Sequence, residues 1–354
     1  MAGDVRILLL GDSHLGFDLP VRPRAGRRRR GYDFLANYAA ALAPATHGEI
    51  DVVVHAGDVF NRSSVDPSVA YQAYEPLRRV ADLGIPVLIV PGNHERSRLP
   101  HRRFLTHPKI HVFDRPRTFV TRVRGTSISL SGFPYERQSV RARFPDLLAE
   151  AACSDVAASC RLLCVHHCIE GATVGPGNFT FTTASDVIRA RDITPNFAAV
   201  FSGHIHRHQV LKYAAPVLYP GSIERTSFAE MEEPKGFLIV HIAESEGDHD
   251  VRWEFRRLPA RPMVIHELDA NVLDAHALES AIRTCIDAAP RHVVMAIRVE
   301  GTLTNAHWRV FSSMRAFVPD TMNVEIKPAG GFVAPRYAAA RSSVIAPTAQ
   351  LSFY

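Results

Sequence analysis

Cysteine is scarce and uneven in number: five residues in 354, Cys153, Cys160, Cys164, Cys168 and Cys285, most of them in or beside apolar runs. That usage argues against a disulfide framework and for a reducing compartment. Cys160, Cys164 and Cys168 recur every four residues. Flanking the strand-like "LLCV", they read as small buried hydrophobes rather than as a metal cluster. Long apolar runs are also missing. The longest, "VRILLL" at 5–10 and "PVLIV" at 86–90, are of strand length, far short of the roughly 18 residues that a membrane span needs. The first residues carry neither the basic nor the apolar region of a secretory signal. The expectation is a cytoplasmic chain without a membrane partner. Charge imbalance is mild: 41 Lys and Arg stand against 36 Asp and Glu, a net charge of +5. That permits a polyanionic partner without requiring one. No internal repeat stands out.

What is present is ordinary globular composition, 46% apolar and 22% charged over a length that suits about two domains. The first two hundred residues repeat a strand, a polar turn and a helical stretch. Strands are expected at 5–10, 51–55, 86–90, 127–131, 162–165 and 198–201. A helix over 32–43 sets Phe34, Leu35, Tyr38 and Leu42 on one face and should stop at Pro44. Asp66-Pro67 reads as an N-cap with proline at the first helical position, and Gly84 as the stop. Pro76 should kink or split that helix. After Gly203 the runs 217–219, 236–242 and 250–258 look like consecutive strands, an antiparallel group closing an α/β layer. A βαβαβ pattern follows, with strands at 263–268, 293–299 and 322–326 and helices at 273–288 and 305–317. The organisation expected is a main domain over 1–258, a small α/β unit over 261–328 and a tail over 329–354.

Five short stretches directly follow expected strands: "GDSH", "AGDVF", "PGNHE", "HHC" and "GHIHRH". Parallel strands in an α/β sheet end on one edge, so these residues should converge. They offer Asp12, His14, Asp58, Asn93, His94, His166, His167, His204 and His206. Such oxygen and imidazole donors without thiolate suit manganese, iron or zinc and are too rich in imidazole for calcium. Asp12 and His14 are two apart, as are His204 and His206; on extended backbone each pair points one way and could grip an ion from one side. Glycines before Asp58, Asn93 and His204 allow tight turns. Two dications facing only two carboxylates, Asp12 and Asp58, would leave the site positive, suited to a phosphate group and to the charge of five-coordinate phosphorus. Each motif alone is an ordinary turn; together, at five strand ends, they point to metal-assisted phosphoester chemistry.

The order Asp-x-His, Gly-Asp, Gly-Asn-His-Glu, His, Gly-His-x-His resembles the calcineurin-like metallophosphoesterases. The resemblance implies an α/β fold: a two-sheet β-sandwich flanked by helices in four layers, α/β/β/α, with two divalent ions. Manganese is the first expectation for them, iron or zinc the alternatives. Asp12, His14 and His206 would hold one ion, Asn93, His166 and His204 the other, and Asp58 would bridge them. His166 takes the ligand role ahead of His167 as the first residue after its strand. His94 would protonate the leaving oxygen or stabilise the transition state. Where relatives place an Asp or His to orient that imidazole, this chain has Asn61, which can accept a hydrogen bond but adds no charge. More narrowly, "GDSHLGF", "GDVFNRSSV", "VPGNHERS", "SGFPYE", "VHHCIEGATVG", "SGHIHRHQV" and "YPGSIERTSFAEMEEPKGFLIV" are together similar to the SbcD-type DNA repair exonucleases, over residues 5 to about 243. That similarity implies a small cap domain after the catalytic layer, matching 261–326, and leaves room for a homodimer. In that family helices beyond the cap often dock onto an SMC-like ATPase. No amphipathic helix pair is visible here, so an SbcC-type ATPase partner is an open alternative rather than an expectation.

The densest positive block, "RPRAGRRRR" at 22–30, follows the first metal motif closely. Arg27, Arg28, Arg29 and Arg30, with Arg96 after the third motif, are the expected contacts to a DNA backbone. Arg98, Arg102, Arg103, Arg137, Arg141 and Arg143 lie in neighbouring loops; solvated surface is the bland alternative. The expectation is a metal-dependent DNA nuclease acting at duplex ends or in single strands. A small-molecule phosphodiesterase or phosphatase of the same superfamily is the alternative. A non-catalytic scaffold that binds DNA ends is a further one, against which stands the complete donor set with His94.

Overall fold

Alternation along the first strand sets the layering. In Val5–Leu10, Ile7 and Leu9 enter one core cluster while Leu8 and Leu10 enter another, because successive side chains on a strand point to opposite faces. In the computed structural model, which describes residues 4–20, 28–99, 102–245 and 248–329, that strand lies inside a six-stranded sheet. The sheet's order is Asp248–Arg257, Gly236–Ser245, Val5–Leu10, Val52–His55, Val87–Ile89, Ile110–Val112. A second six-stranded sheet runs Gln209–Lys212, Pro216–Tyr219, Ala199–Ser202, Cys160–Val165, Thr126–Gly132, Arg117–Val123. Ile7, Leu9, Val54 and Leu88 of the first meet Leu130, Leu162, Phe201 and Leu218 of the second.

Helices cover the outer faces. α1 (Gly31–Thr46) and α2 (Pro67–Asp82) bring Phe34, Tyr38, Leu77 and Val80 against Leu8, Leu10 and Val53. α3 (Val140–Glu150) brings Phe144 and Leu147 against Leu163, Val165 and Val200. The result is the α/β/β/α sandwich expected. The inner strands of each sheet are parallel, so their carboxyl ends open on one edge, where the motifs gather.

Several local expectations change. α1 runs through Pro44 to Thr46, and α2 continues across Pro76 as one helix. Buried side chains on both sides of Pro76, among them Ala73, Leu77 and Val80, hold the helix against the sheet and outweigh one lost backbone bond. The late strands do not form one antiparallel group. Gly236–Ser245 and Asp248–Arg257 make an antiparallel hairpin on the first sheet, whereas Pro216–Tyr219 joins the second, parallel to Ala199–Ser202. Strands Ile110–Val112, Arg117–Val123 and Gln209–Lys212 and helix α3 were not expected; all three strands lie at sheet edges, where half-exposed residues blur the apolar pattern. Cys160 and Cys164 face the inter-sheet core and Cys168 the outer one. No candidate metal-holding group among the described residues includes a cysteine.

Strands Met263–Asp269, Val294–Glu300 and Asn323–Pro328 form a separate parallel sheet with Val294–Glu300 in the middle. α4 (Ala275–Ala288) and α5 (Asn305–Phe317) cover it with Leu278, Ile282, Val310 and Met314. Of the tail expected over 329–354, all but Ala329 lies outside the described residues. A buried guanidinium ties this unit to the sandwich. Arg261 donates to Asp33 Oδ2 (3.2 Å), Asn323 Oδ1 (2.6 Å), Val293 O (3.1 Å), Thr321 O (3.0 Å) and His292 O (2.5 Å). Asp33 belongs to α1, so the bond crosses between the two parts. Removing one partner of a buried pair leaves the other charge unmet. Arg261→Ala is expected to destabilise the chain by about 3 kcal/mol in urea unfolding; a loss below about 1 kcal/mol would show that the guanidinium is not a tie.

Candidate metal centre

The site forms where five loops leave parallel strands, three of them in strained turns. Asp12, His14, Asp58 and His204 all have positive φ (49°, 43°, 51° and 80°), a conformation costing non-glycine residues about 1–3 kcal/mol each. The Asp12 and His14 pairing therefore arises from a left-handed turn, not from extended backbone as expected. Two glycines are required by proximity. A Cβ on Gly57 would lie 2.1 Å from His166 Nδ1, and one on Gly92 would lie 2.1 Å from Asp58 Oδ1.

Three overlapping groups have ligand atoms within 4.8 Å of one another: Asp12, His14 and His206; His14, Asp58 and His94; Asp12, Asp58 and His166. Asp58 Oδ2 is central, 3.3 Å from His166 Nε2, 3.9 Å from His94 Nε2 and 4.0 Å from His14 Nε2. Asn93 Oδ1 stands 3.0 Å from both His166 Nε2 and His204 Nδ1. His204 and His206 diverge, the first toward Asn93 and the second toward His14, so they do not grip from one side. His167 turns away; its Nε2 accepts the Glu136 N–H and its ring stacks on Tyr135 at 4.7 Å.

Proton placement tests whether cations fit. His166 Nδ1 lies 2.7 Å from the Ala56 carbonyl, and His206 Nδ1 lies 3.1 Å from Glu230 Oε1. Each Nδ1 must donate, which leaves each Nε2 a bare lone pair in the neutral ring. Yet His206 Nε2 faces His14 Nε2 at 2.9 Å, and His166 Nε2 faces the oxygens of Asn93 and Asp58. Acceptors this close repel unless a proton or a cation lies among them. In its absence protons are drawn in: burial opposes the His166 imidazolium, but Asp58 raises its pKa to about 9. Burial alone would raise the Asp58 carboxyl, and His166 instead pulls it well below the carboxylate range. Burial and neighbouring His166 depress His204 to about 3. The donor set fits divalent cations.

Residues 5–208 match the calcineurin-like phosphoesterase family, more than half of the 354 residues. The chain belongs to the calcineurin-like phosphoesterase family. As a member it is a metallophosphoesterase, a hydrolase that works with divalent metal ions. It is similar to the DNA double-strand break repair protein Mre11 of Halobacterium salinarum, 29% identical over 329 residues, covering 90% of this chain and 77% of that one. Mre11 of Methanosarcina mazei is 26% identical over 308 residues, covering 83% of this chain and 45% of the relative. The metallophosphoesterase YhaO of Bacillus subtilis is 25% identical over 221 residues, covering 59% and 51%. The chain thus spans less than half of the Methanosarcina protein.

In this phosphoesterase a layer of charge behind the cluster comes from residues whose roles the sequence did not reveal. Glu230 receives the His206 Nδ1 proton and the Thr226 hydroxyl (2.5 Å). The buried Lys235 ammonium bridges Glu230 (2.6 Å), Glu233 (3.1 Å) and the His206 carbonyl (2.9 Å). A carboxylate on the far nitrogen fixes a ligand imidazole's tautomer and orientation. Glu95 joins the second and third motifs, accepting from Phe60 N (2.8 Å) and Gly92 N (2.7 Å). Burial and the Asp58 charge raise its pKa to about 8. The clustered charges of "EMEEPKGF" were the available signal for Glu230 and Lys235.

His94 and the arginines also look different in three dimensions. His94 Nδ1 meets the main-chain carbonyl of Asn61 at 2.9 Å, not its side chain. Arg27 lies outside the described residues. Arg30 is buried, bonded to the Arg225 carbonyl, 3.8 Å from Glu224 and stacked over Phe17. As a free phosphate contact it is therefore corrected to a structural role: its guanidinium stabilises the start of α1 from inside. Arg28 pairs with Asp33 and Arg29 with Asp18, each still partly exposed. Arg96 is exposed and makes no ion pair among the described residues.

Beneath the first motif, His55 and Ser13 form a fully buried pair at 2.8 Å. His55 Nδ1 accepts the Gly57 N–H (3.3 Å), so the neutral ring donates from Nε2 to Ser13 and has no room for a second proton. Burial and nearby His166 lower its pKa to about 3. The unfolded chain then takes up a proton that the folded one refuses, so stability falls as pH drops from about 6.5 toward 3. For the metal-free protein the His55 contribution to this loss is up to about 1.4 kcal/mol per pH unit. His55→Gln should flatten that acid limb in urea titrations; an unchanged slope would exclude His55 as its source.

Proposed function

We propose that this chain is a DNA nuclease of the cytoplasm, hydrolysing phosphodiester bonds at duplex ends or in single strands with two divalent cations, manganese first and iron or zinc as alternatives. The observation that carries it is the reach of the similarity to Mre11, over 90% of the chain and so beyond the phosphoesterase core into the small α/β unit. A small-molecule phosphodiesterase would account for the metal cluster alone.

The proposed ligand sets are Asp12, His14 and His206 for one ion and Asn93, His166 and His204 for the other, with Asp58 between them. Bound there, two cations would supply Lewis acidity, acidifying a water and offsetting charge on the phosphoryl oxygens. The chain's residues do the rest. Glu230 and the Ala56 carbonyl hold the protons of His206 and His166 on the far side, so that Nε2 of each faces inward. The Asn61 carbonyl takes the His94 Nδ1 proton, aiming Nε2 into the site. A protonated Nε2 there can hand its proton to the departing oxygen as the water oxygen to phosphorus bond forms and the phosphorus to leaving oxygen bond breaks. Exposed Arg96, close in sequence to His94, supports contact with a strand's phosphates.

His94→Ala is expected to bind manganese with unchanged stoichiometry in calorimetry and to lose about 100-fold or more in kcat on DNA. Cleavage at the original rate would remove His94 from the mechanism. Arg96→Ser should weaken duplex binding and reduce the slope of log affinity against log salt by about 0.9, with a chromogenic phosphodiester still cleaved. An unaltered salt slope would mean that Arg96 touches no phosphate.

A further inference from the structure

A cavity of about 390 Å³ opens beside the proton-donating edge of the metal centre, between the chain following His14 and the segment following Asp58. Leu15, Leu19, Val65 and Val69 form its apolar wall, and Asn61 and Arg62 also line it. Asn61 is the residue whose carbonyl holds His94 Nδ1 at 2.9 Å, and the His94 and His14 rings lie 4.7 Å apart. The cavity therefore begins one residue from the group placed at the departing oxygen. Its volume falls within the range of about 300–1,000 Å³ common to small-molecule sites.

Four charged side chains line it, Asp18, Arg29, Arg62 and Asp66. Asp18 is matched by Arg29 and by the Arg30 N–H, and Asp66 caps α2 through Ser68 N and Oγ. Arg62 is exposed and makes no ion pair among the described residues. An apolar wall, an amide side chain and one unmatched guanidinium at the rim are the complement of a nucleoside followed by a phosphate.

We propose that this cavity is the subsite for the nucleoside attached to the departing oxygen, with Arg62 holding the next phosphate along the strand. The inference rests on the nuclease reading and adds to it the side of the scissile bond on which the strand is gripped. Ligand side chains and His94 bind only the reacting phosphate; this cavity gives the enzyme hold on the fragment it releases.

The test compares a thymidine tetranucleotide with thymidine 5′-(p-nitrophenyl phosphate), whose departing group is nitrophenolate and whose nucleoside stays on the retained phosphate. Ser64, an exposed residue of the cavity lining, serves to plug it. With manganese, Ser64→Trp and Arg62→Ala should each raise KM for the tetranucleotide about tenfold with little change in kcat. Arg62→Lys should recover part of that loss. KM for the nitrophenyl ester should stay within about twofold, as the loss of one charged contact is confined to the other substrate. An unchanged tetranucleotide KM, or an equal rise on both substrates, overturns the subsite. If the unmodified enzyme cleaves the nitrophenyl ester and leaves the tetranucleotide intact, the nuclease reading itself falls and takes the subsite with it.

Discussion

The structure turns on a set of buried lone pairs that face one another. His14, Asp58, Asn93, His166 and His206 bring acceptor atoms within hydrogen-bonding distance of other acceptors, which no folded chain tolerates without protons or cations between them. Such a cluster persists only where the backbone beneath it cannot relax. Here the support is the sandwich: parallel strands buried on both faces hold their loop ends in register, and those loops enter the site through left-handed turns. Strain at Asp12, His14, Asp58 and His204 is thus stabilised by the apolar layers packed behind the site. Metal affinity and the integrity of the fold draw on the same packing.

Around this core, charge is arranged in shells of alternating sign. The imidazoles lie against Asp58 and Asp12, His206 lies against Glu230, and Glu230 lies against Lys235. Lys235 is buried, with two carboxylates and a carbonyl around its side-chain nitrogen. From the same segment, Arg225 donates to the Arg261 carbonyl at 3.1 Å, and Arg261 reaches Asp33 and the small α/β unit. A path of hydrogen bonds and neighbouring residues thus runs from His206 to the junction of the two parts. The stretch 222–235 links the site to the fold rather than merely connecting two strands.

Much of this was legible in the sequence. Five motifs at five strand ends pointed to their convergence, although the pairs two residues apart do not point as extended backbone would set them. The βαβαβ pattern after Arg261 appears as a three-stranded parallel sheet with helices Ala275–Ala288 and Asn305–Phe317. What failed to show had physical causes. Pro44 and Pro76 obey local rules that tertiary burial overrides. His94 is oriented by a main-chain carbonyl, which every residue type offers, so the identity of Asn61 could not reveal it. Arg30 sits in a run of four arginines that look alike in one dimension. Only its neighbours, Glu224 and the Phe17 ring, remove it from the surface.

By itself the sequence determined the chemistry on offer: which donor atoms exist, that they are oxygen and nitrogen without thiolate, and that they follow strands. Periodicity and residue type are local properties, and these conclusions need nothing else. The tertiary structure alone decided which donors face which, because His204 and His206, two residues apart, point to different partners. It also decided which charges are free. Adjacent guanidinium groups differ in their partners: Arg28 and Arg29 meet nearby carboxylates, whereas Arg30 is reached by Glu224, and that contact exists only once the layers have closed.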